Sequence, residues 1–264
     1  MDVKDKVTVV TGAGSGIGRA IAERFAVNGA RIVVCVDLNG DEAARTVESI
    51  GPQAYSEQLD VGDAAAIEHL VARTEAAHGG IDVFVSNAGY GRSGGLEMPL
   101  MEWQQMMNVH MWSHLVAARA VLPGMVLRGS GYLLSTASAA GLLSQFDSGA
   151  YAVSKHAAVA LAEWLAINYV DKGIGVSVLC PQAVRTNVLS YMNDPAAAVD
   201  VVQAGGDGIL EPEDVADLCI EAMADGRFLI LPHEEVRTYF QRKASDYDRW
   251  LSGMRRLRKR FESR

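Results

Sequence analysis

Short runs of valine, isoleucine and leucine alternate with longer segments of helical periodicity along the chain, and this alternation limits the possible folds more than any other feature. Strands that are connected through helices pair in parallel. A parallel sheet is covered by helices on both faces, because its strands are apolar on both sides. The sequence therefore predicts an α/β fold, in which helices cover both faces of one doubly wound parallel sheet of about seven strands.

The predicted elements follow one another without a repeat or a linker. Strands are predicted at residues 7–12, 31–37, 53–61, 82–89, 131–138, 176–181 and 227–232. Helices are predicted at residues 16–28, 40–50, 63–78, 100–128, 150–172 and 211–225, with a possible break near Asn108. Residues 185–210 follow neither pattern, and a connection of this length is typical of a lid. We expect residues 1–232 to form one domain that includes this lid.

Residues 233–264 hold ten Lys/Arg and five Asp/Glu, whereas the rest of the chain holds 14 and 27. The basic run within this tail fits either a nucleic-acid contact or the polar face of an amphipathic helix. Its apolar residues recur at helical spacing: Trp250, Met254, Leu257 and Phe261. We favour the helix, because the acidic body of the protein lacks the basic face that phosphates require. The tail is predicted to pack on the same domain, and nucleic acid is not expected as a partner.

The composition indicates a soluble, cytoplasmic protein. Of the 264 residues, 49% are hydrophobic and 21% are charged, which is typical of a globular chain with a large core. The three cysteines, Cys35, Cys180 and Cys219, are far apart and are expected to stay reduced. The charged amino terminus lacks the apolar core of a signal peptide. The longest apolar run, residues 115–127, is too short and too interrupted to span a membrane.

Residues 11–18 have the sequence Thr-Gly-Ala-Gly-Ser-Gly-Ile-Gly and lie where the first predicted strand turns into a helix. Glycine is needed there because a side chain would keep a pyrophosphate away from the amides at the helix amino terminus. Asp37 ends the second predicted strand, 19 residues after Gly18. This context predicts a dinucleotide site on a Rossmann fold.

Asp37 favours NAD over NADP. A carboxylate accepts hydrogen bonds from both hydroxyls of the adenosine ribose but repels a 2′-phosphate. An NADP site would need a basic residue at the positions of Ser15 and Leu38, and neither of these residues is basic. The alternative is that Asp37 only caps the following helix.

Tyr151 and Lys155 lie four residues apart in a predicted helix and therefore share one of its faces. Ser138 lies thirteen residues before Tyr151, at the end of the fifth predicted strand. The pKa of a free tyrosine is about 10, and a nearby ammonium group that lowers it by about three units, or roughly 4 kcal/mol, would make the phenol an effective base. Alone, such a pair on a helix is usually solvated.

Taken together, these motifs resemble the single-domain short-chain dehydrogenase/reductases in order and spacing over nearly the whole chain, to about residue 232. The resemblance rests on residues 11–18, Asp60-Val61, Asn87-Ala88-Gly89, Asn108, Ser138, Tyr151, Lys155 and the segment 180–186. It implies an oxidoreductase that transfers a hydride between NAD(H) and a small-molecule secondary alcohol or ketone. A dinucleotide sensor or scaffold without turnover is the alternative within this family. A methyltransferase that uses the glycine loop for another adenosine cofactor would leave Tyr151 and Lys155 unexplained.

The resemblance also implies a role for each matching residue. Tyr151 would be the catalytic base, Ser138 would bind the substrate oxygen, Lys155 would hold the nicotinamide ribose, and Asn108 would anchor a water molecule of a proton relay. The implied cofactor-binding residues are Gly12, Ser15, Gly16, Ile17, Gly18, Asp37, Asp60, Val61, Asn87, Ala88, Gly89, Tyr151, Lys155, Pro181, Val184 and Thr186. The implied substrate-binding residues are Ser138 and Tyr151.

Two residues depart from the family pattern, namely Gln182 in place of a usual glycine and Val153 in place of a commoner alanine. Gln182 is open to three interpretations: it narrows the pocket, binds a polar group of the substrate, or is a tolerated replacement. His110 and His114 have a spacing that suits a metal, but no third ligand accompanies them, so we expect packing or surface roles and no metal site.

The substrate is expected to be hydrophobic. Candidate pocket residues lie at 90–95, 139–146, 182–184 and 189–209, and many of them are apolar. Arg92 and Arg185 leave open an anionic group on the substrate, although exposed arginines are usually only solvated.

We expect a homodimer or a homotetramer, with the tetramer favoured. The predicted helix at 150–172 is apolar around much of its girth, so more than one of its sides should be buried. Its contact with a second copy is predicted to include some of Ala158, Leu161, Ala162 and Leu165.

Overall fold

The structure is a computed structural model that describes residues 1–187 and 206–262. Within these residues, seven parallel strands form one sheet in the order β3-β2-β1-β4-β5-β6-β7. The strands are β1 (Val7–Thr11), β2 (Ile32–Asp37), β3 (Ala54–Gln58), β4 (Val83–Ser86), β5 (Gly131–Thr136), β6 (Ile174–Leu179) and β7 (Leu229–Ile230). The predicted α/β fold, a doubly wound parallel sheet of seven strands, is confirmed.

Helices flank this sheet. They are α1 (Gly16–Val27), α2 (Gly40–Ile50), α3 (Ala64–His78), α4 (Leu100–Met107), α5 (Ser113–Arg128), α6 (Ala140–Leu143), α7 (Gly149–Tyr169), α8 (Pro212–Asp225), α9 (Glu235–Ser245) and α10 (Tyr247–Glu262). In the part of the chain that is described, no helix is long and apolar enough to cross a membrane.

Local sequence accounts for several helix starts. The side chain of Asn39 accepts hydrogen bonds from the amides of Asp41 and Glu42 at the start of α2, and Asp63 caps α3 in the same way. Such caps satisfy backbone donors that have no partner inside the helix. The start of α1 differs, since the side chain of Ser15 forms no cap hydrogen bond.

The topology creates a crevice beside β1. The chain leaves β1 to build β2 and β3 on one side, and later returns to place β4 on the other side. The loops after β1 and β4 therefore diverge at the carboxyl ends of these strands. Crevices at such switch points are where open α/β sheets bind ligands.

Two apolar layers lie on the two faces of the sheet. On one face, Phe25 of α1 and Met223 of α8 are fully buried. On the other face, α3, α5 and α7 contribute Leu70, Val121 and Leu165. Burial of this kind is the main stabilising contribution to the fold, and it holds the strand ends in fixed positions.

The predicted helix at 100–128 is interrupted in a defined way. A π-helical segment, Asn108–Trp112, lies between α4 and α5, so the predicted break near Asn108 is present. Ser113 Oγ donates a hydrogen bond to the carbonyl of Val109, 2.6 Å away, directly after the wider turn. Segments of this type are frequent at functional sites.

Other predicted bounds differ from those in the structure. The strand predicted at 227–232 is reduced to two residues, and α6 was not predicted. Of the predicted lid at 185–210, residues 188–205 lie outside the described residues.

The predicted contact face of α7 needs correction. Ala158, Ala162 and Leu165 are buried in the core of their own chain, so they are not available to a second copy, whereas Leu161 is only partly buried. The exposed apolar residues of α7 include Trp164 and Ile167 instead. The face of α7 that the sequence suggested for assembly is the one that packs on the sheet. Both faces are apolar, so the sequence pattern does not distinguish them. The oligomeric state stays a prediction.

Candidate active site

A cleft of about 1720 Å³ opens at the carboxyl ends of the strands. Its lining includes most of the residues predicted to bind cofactor or substrate: Gly12, Ser15, Gly16, Ile17, Asp37, Asp60, Val61, Asn87, Ala88, Gly89, Ser138, Tyr151, Lys155, Pro181, Val184 and Thr186. The fold thus brings together residues that are up to 174 positions apart in the sequence. Among the described residues, no group of three or more His, Cys, Asp or Glu is placed to hold a metal ion.

The glycine loop is shaped by close approach of backbone to backbone. Gly12 has φ +66°, and a Cβ on it would lie 2.8 Å from the Cα of Ala88. A Cβ on Gly18 would lie only 2.1 Å from the carbonyl oxygen of Gly12, so any side chain there displaces the loop. Gly18 itself does not line the cleft but supports it from behind.

The amino terminus of α1 faces this loop without a competing anion. Its first turn has no acidic residue, and the side chain of Ser15 makes no cap hydrogen bond. Unpaired amides and the helix dipole at such a terminus favour a negative group. A glycine cradle that a Cβ would fill, at an uncapped helix start, fits the pyrophosphate of a dinucleotide.

Asp37 closes the far end of this cradle. Its Oδ2 accepts a hydrogen bond from the Gly14 amide and its Oδ1 accepts one from the Asn39 amide, each at 2.9 Å. A carboxylate has about four acceptor positions, so it can also bind two hydroxyl groups. The cap interpretation is too narrow, because Asn39, and not Asp37, caps α2.

Asn87 ties the loop after β4 to the two neighbouring strands. Its amide Nδ2 donates to the carbonyl of Thr11 at 3.0 Å, and its Oδ1 accepts from Thr136 Oγ1 at 3.0 Å. The backbone amide of Asn87 donates to Thr11 Oγ1. This network holds the loop after β4 against the ends of β1 and β5 at the crevice.

Tyr151 and Lys155 lie on the face of α7 that borders the cleft. Lys155 is buried, its Nζ donates to the carbonyl of Thr136 at 3.0 Å, and this Nζ lies 5.7 Å from the centre of the Tyr151 ring. Burial lowers the pKa of Lys155 to about 8. The predicted pairing of an ammonium group with a phenol is therefore present in the fold.

Ser138 lies just after β5, at the entrance to α6. Its Oγ accepts a hydrogen bond from the amide of Ala140 at 3.1 Å, and the following residue, Ala139, donates its amide to the carbonyl of Pro181. These backbone contacts hold the hydroxyl at the cleft surface.

His110 is the functional candidate that the sequence interpretation missed. It lies in the π-helical segment and is fully buried. Its Nε2 accepts a hydrogen bond from the amide of Tyr90, and its Nδ1 is 2.9 Å from Ser154 Oγ. Ser154 Oγ in turn donates to the carbonyl of Tyr151, and the His110 ring meets the Tyr151 ring edge-on at 5.5 Å.

The tautomer of His110 follows from these contacts. Since Nε2 accepts from an amide, the ring proton is on Nδ1, which donates to Ser154 Oγ. Burial, and then the charge of Lys155, keep the pKa of His110 well below its ordinary value, so the ring is neutral. The sequence did carry one signal for a role of His110, because this polar residue lies close to a predicted break in a helix.

Asn108 is not brought to this group. It begins the π-helical segment and is not among the residues that line the cleft, and its role in anchoring a water molecule stays a prediction. The wider turn directs His110, two residues later, toward Tyr151 and the loop after β4. A break in a helix can be predicted from sequence, but which residue it turns inward depends on the local geometry.

His114 lies one turn after His110, directly behind the site. It is fully buried, and neither ring nitrogen has a hydrogen-bond partner among the described residues. Burial, and then the charge of Lys155, lower its pKa to about 3. The expectation of a packing role fits this environment.

The end of the cleft opposite Asp37 lies beyond Ser138, and we name it the substrate end for the role that the sequence predicts. There Gln182 Nε2 donates to Asp207 Oδ2 at 2.8 Å, and Tyr239 OH donates to the other oxygen of Asp207. The side-chain amide of Gln182 thus connects the segment after β6, through Asp207, to Tyr239 of the tail. The geometry adds an interpretation that the sequence did not offer, namely a structural contact with Asp207, and the three earlier interpretations stay open.

The two arginines for which the sequence left an anionic substrate group open are paired within the protein. Arg92 forms an ion pair with Glu102, and Arg185 forms one with Glu211 at 2.7 Å. Both pairs are on the surface.

The tail forms one wall of the substrate end. Lys243 of α9 is buried, and its Nζ donates to the carbonyl of Leu142 in α6 at 2.6 Å. The cleft is lined by one face of α10, with Trp250, Gly253, Met254 and Leu257 partly buried there. The side chain of Phe261, which was predicted to share this face, lies outside the described residues.

Comparison with known proteins agrees with this geometry. A family profile described as short chain dehydrogenase matches residues 6–197. A 1-deoxy-11-beta-hydroxypentalenate dehydrogenase of Streptomyces exfoliatus is 35% identical over 259 residues, which is 96% of this chain and 92% of that protein. A 2,5-dichloro-2,5-cyclohexadiene-1,4-diol dehydrogenase of Sphingobium indicum is 34% identical over 75% of this chain and 80% of its own length.

A solved structure shows the same fold. The crystal structure of a short chain dehydrogenase/reductase from Burkholderia phymatum, in complex with NAD, superposes with a TM-score of 0.86 at 31% identity. The superposition covers 94% of this chain and 96% of that one. The profile covers more than half of the chain, and the relatives match most of it. The chain therefore belongs to the short chain dehydrogenase family of oxidoreductases.

Proposed function

We propose that this protein transfers a hydride between NAD(H) and a secondary alcohol or ketone of predominantly apolar character, with Tyr151 as the acid/base. The observation that carries the proposal is the buried Lys155, whose Nζ lies 5.7 Å from the Tyr151 ring at the edge of the cleft. The names of two relatives, a hydroxypentalenate dehydrogenase and a cyclohexadiene-diol dehydrogenase, support a hydroxylated substrate.

The cofactor is proposed to lie along the cleft from Asp37 to Lys155. The pyrophosphate would meet the glycine loop and the first amides of α1, and Asp37 would accept hydrogen bonds from the adenosine ribose. The remaining contacts would come from the adenine-side pair Asp60-Val61, from Asn87-Ala88-Gly89, and from Pro181, Val184 and Thr186. When bound, the nicotinamide ring supplies the chemistry of hydride donation and acceptance. The structure solved with NAD supports this choice of cofactor.

In the oxidation direction, Tyr151 takes the proton of the substrate hydroxyl. The positive charge of Lys155 favours the phenolate that accepts this proton, because an opposite charge a few ångströms away stabilises an ion in a dry site. Ser138 donates a hydrogen bond to the substrate oxygen and orients it toward Tyr151. In reduction the same groups act in reverse, and the phenol returns its proton.

His110 is proposed as a positioning residue. Both ring nitrogens are occupied by Tyr90 and Ser154, and the ring stays neutral, so it holds no proton for the reaction. It links the loop after β4 to the turn of α7 that carries Tyr151. This places the two sides of the cleft at a constant separation, which transfer between a bound cofactor and a substrate requires.

A spectroscopic screen tests the proposal. The full-length protein is mixed with NAD+ and a panel of steroid, terpenoid and aliphatic secondary alcohols, and absorbance at 340 nm is followed. We expect turnover of at least one apolar alcohol and a preference for NAD+ over NADP+, because Asp37 repels a 2′-phosphate. NADH binding without turnover of any alcohol or ketone would favour the sensor or scaffold alternative.

Tyr151→Phe identifies the acid/base. It removes the ionisable oxygen and keeps the ring that packs on His110. We expect turnover to fall by about three orders of magnitude or more, in line with loss of a general acid/base, while the variant still binds NADH. Near wild-type turnover by the variant would show that another group moves the proton.

A further inference from the structure

The tail is built into the substrate end of the cleft rather than lying on a remote surface. Lys243 donates a hydrogen bond to the carbonyl of Leu142 in α6, the helix that follows Ser138. Tyr239 donates a hydrogen bond to Asp207. Val236 of α9 is buried in the core. Three contacts along α9 thus fix where α10 begins.

One face of α10 combines apolar and cationic groups. Trp250, Met254 and Leu257 are spaced by four and three residues and are partly buried along the cleft. Arg249 and Arg256 line the same cleft, seven residues apart, so they lie on one side of the helix about two turns from each other. The wall is therefore an apolar stripe with a cationic border.

The charges of Arg249 and Arg256 are not neutralised by the protein. In the described part of the chain, no carboxylate forms an ion pair with either of them, and both side chains are exposed. Asp246, three residues before Arg249, accepts the amide hydrogen of Arg249 and caps α10. Asp207, the other acid at this end, is held by Gln182 and Tyr239.

This cationic border contrasts with the overall charge. The chain carries a formal charge of -8, and the excess of Lys/Arg is confined to the tail. Arginines that line the mouth of a cleft in an acidic protein give a local positive potential at that site, and arginine pairs favourably with carboxylates.

Building on the proposed function, we infer that the substrate is an amphipathic acid. Its apolar skeleton packs on Trp250, Met254 and Leu257, its hydroxyl or carbonyl oxygen meets Ser138 and Tyr151, and its carboxylate meets Arg249 and Arg256. A dinucleotide pyrophosphate is also an anion in this cleft. The position of α9 on α6 favours the substrate as the source of the charge, because α6 adjoins Ser138 and lies away from Asp37.

Calorimetry with two matched probes tests the inference. Octanoate and its neutral analogue octanamide are titrated into the full-length protein saturated with NADH. We expect octanoate to bind at least tenfold more tightly. In the double variant Arg249→Gln/Arg256→Gln this preference should weaken, with a remainder from Arg242 and Arg260, which also line the cleft, while NADH affinity, followed by its fluorescence, stays unchanged.

A second double variant, Arg255→Gln/Lys259→Gln, is the control. It removes the same charge from side chains of α10 that do not line the cleft, so the preference for octanoate should remain. Trp250→Ala should weaken both probes by the same factor, because it removes apolar contact only.

Three results would overturn the inference. The first is that the wild type binds octanoate and octanamide with equal affinity, or binds neither. The second is that the control variant loses the preference for octanoate. The third is that Arg249→Gln/Arg256→Gln keeps this preference but binds NADH more weakly. The last result would assign these arginines to the cofactor diphosphate. Failure of the wild-type protein to bind NADH would instead contradict the proposed function, and the preference for octanoate would then be measured on the cofactor-free protein.

Discussion

The two ends of the cleft differ in the groups that form them, which are mainly backbone at one end and side chains at the other. The cofactor end consists mainly of backbone, namely the glycine loop, the start of α1 and the loop after β4. The end proposed for catalysis and substrate binding consists of side chains from α6, α7, α9 and α10 and from the π-helical segment, with His114 of α5 buried behind it. Backbone geometry at a parallel sheet switch point leaves little freedom, whereas side chains on several helices can be changed one at a time. In the proposed function, the first end binds the cofactor and the second selects the substrate.

The two ends also differ in their buried ionisable groups. Lys155, His110 and His114 are all buried at the catalytic end. At the cofactor end, Asp37 is only partly buried and its carboxylate accepts two amide hydrogens. The catalytic end is therefore expected to be the part of the fold that is sensitive to acid.

The largest expected effect concerns His114. Its pKa is about 3 in the folded protein and about 6.5 when unfolded, so below pH 6.5 the unfolded chain binds a proton that the folded protein does not. Its contribution to stability is complete above pH 6.5 and is lost as the pH falls toward 3. Between pH 7.5 and 4.5, we expect the wild type to lose about 3 kcal/mol more of unfolding free energy than His114→Leu.

Urea denaturation at the two pH values measures this difference. The substitution His69→Gln is the control, because His69 is exposed on α3 and the pH dependence should match that of the wild type. Identical acid sensitivity of His114→Leu and wild type would show that this histidine is not the source, and would remove the contrast between the two ends.

A pair of glycine substitutions compares the two ends directly. In Gly18→Ala the new methyl group would lie 2.1 Å from the Gly12 carbonyl oxygen, so the loop must shift. We expect NADH affinity to fall about thirtyfold, or roughly 2 kcal/mol. In Gly253→Ala the nearest atom, in Arg256, is 3.9 Å away, so the affinity should stay the same.

Fluorescence titration with NADH compares these two variants. An alanine in the middle of a helix also stabilises it by about 0.5–1 kcal/mol relative to glycine, so Gly253→Ala should unfold at a slightly higher urea concentration. Equal NADH affinities for Gly18→Ala and Gly253→Ala would mean that the cofactor end tolerates change as well as the substrate end does.

The smallest expected effect concerns His110. His110→Phe keeps the contact with the Tyr151 ring but leaves the Tyr90 amide and Ser154 Oγ without their partner. We expect kcat to fall about tenfold, or roughly 1.4 kcal/mol, with NADH affinity unchanged. His110→Asn keeps one donor and one acceptor and should recover part of the loss.

Steady-state kinetics on a substrate found in the 340 nm screen decide this prediction. A positioning role predicts a change in kcat at nearly constant KM and no new step in the pH profile, since the ring does not titrate during turnover. A profile that loses an ionisation in His110→Phe would instead make His110 a proton carrier.

The cofactor end could be predicted from the sequence almost residue by residue. The glycines of 11–18 and Asn87 follow strands, Asp37 ends one, and the strand ends in a parallel sheet converge on one edge. Tyr151 and Lys155 were equally accessible, because a spacing of four residues on a helix places them on one face. These signals are local, and they keep their meaning in any protein that forms this sheet.

His110 and the buried face of α7 could not be predicted in the same way. The π-helical segment changes the direction of every side chain that follows it, and sequence patterns assume an uninterrupted helix. For α7, apolar residues on both faces leave the choice between core and assembly open, and the fold places Ala158, Ala162 and Leu165 in the core.

The position of the tail shows where sequence patterns reach their limit. The apolar spacing of Trp250, Met254 and Leu257 was sufficient to predict an amphipathic helix, because helix formation depends on the period of its own side chains. The surface that this helix covers depends on residues far away in the chain, since Lys243 donates a hydrogen bond to Leu142 and Tyr239 donates one to Asp207. The sheet, the cofactor loop and the Tyr151-Lys155 pair follow from local patterns, whereas the wall at the substrate end exists only through contacts between distant segments.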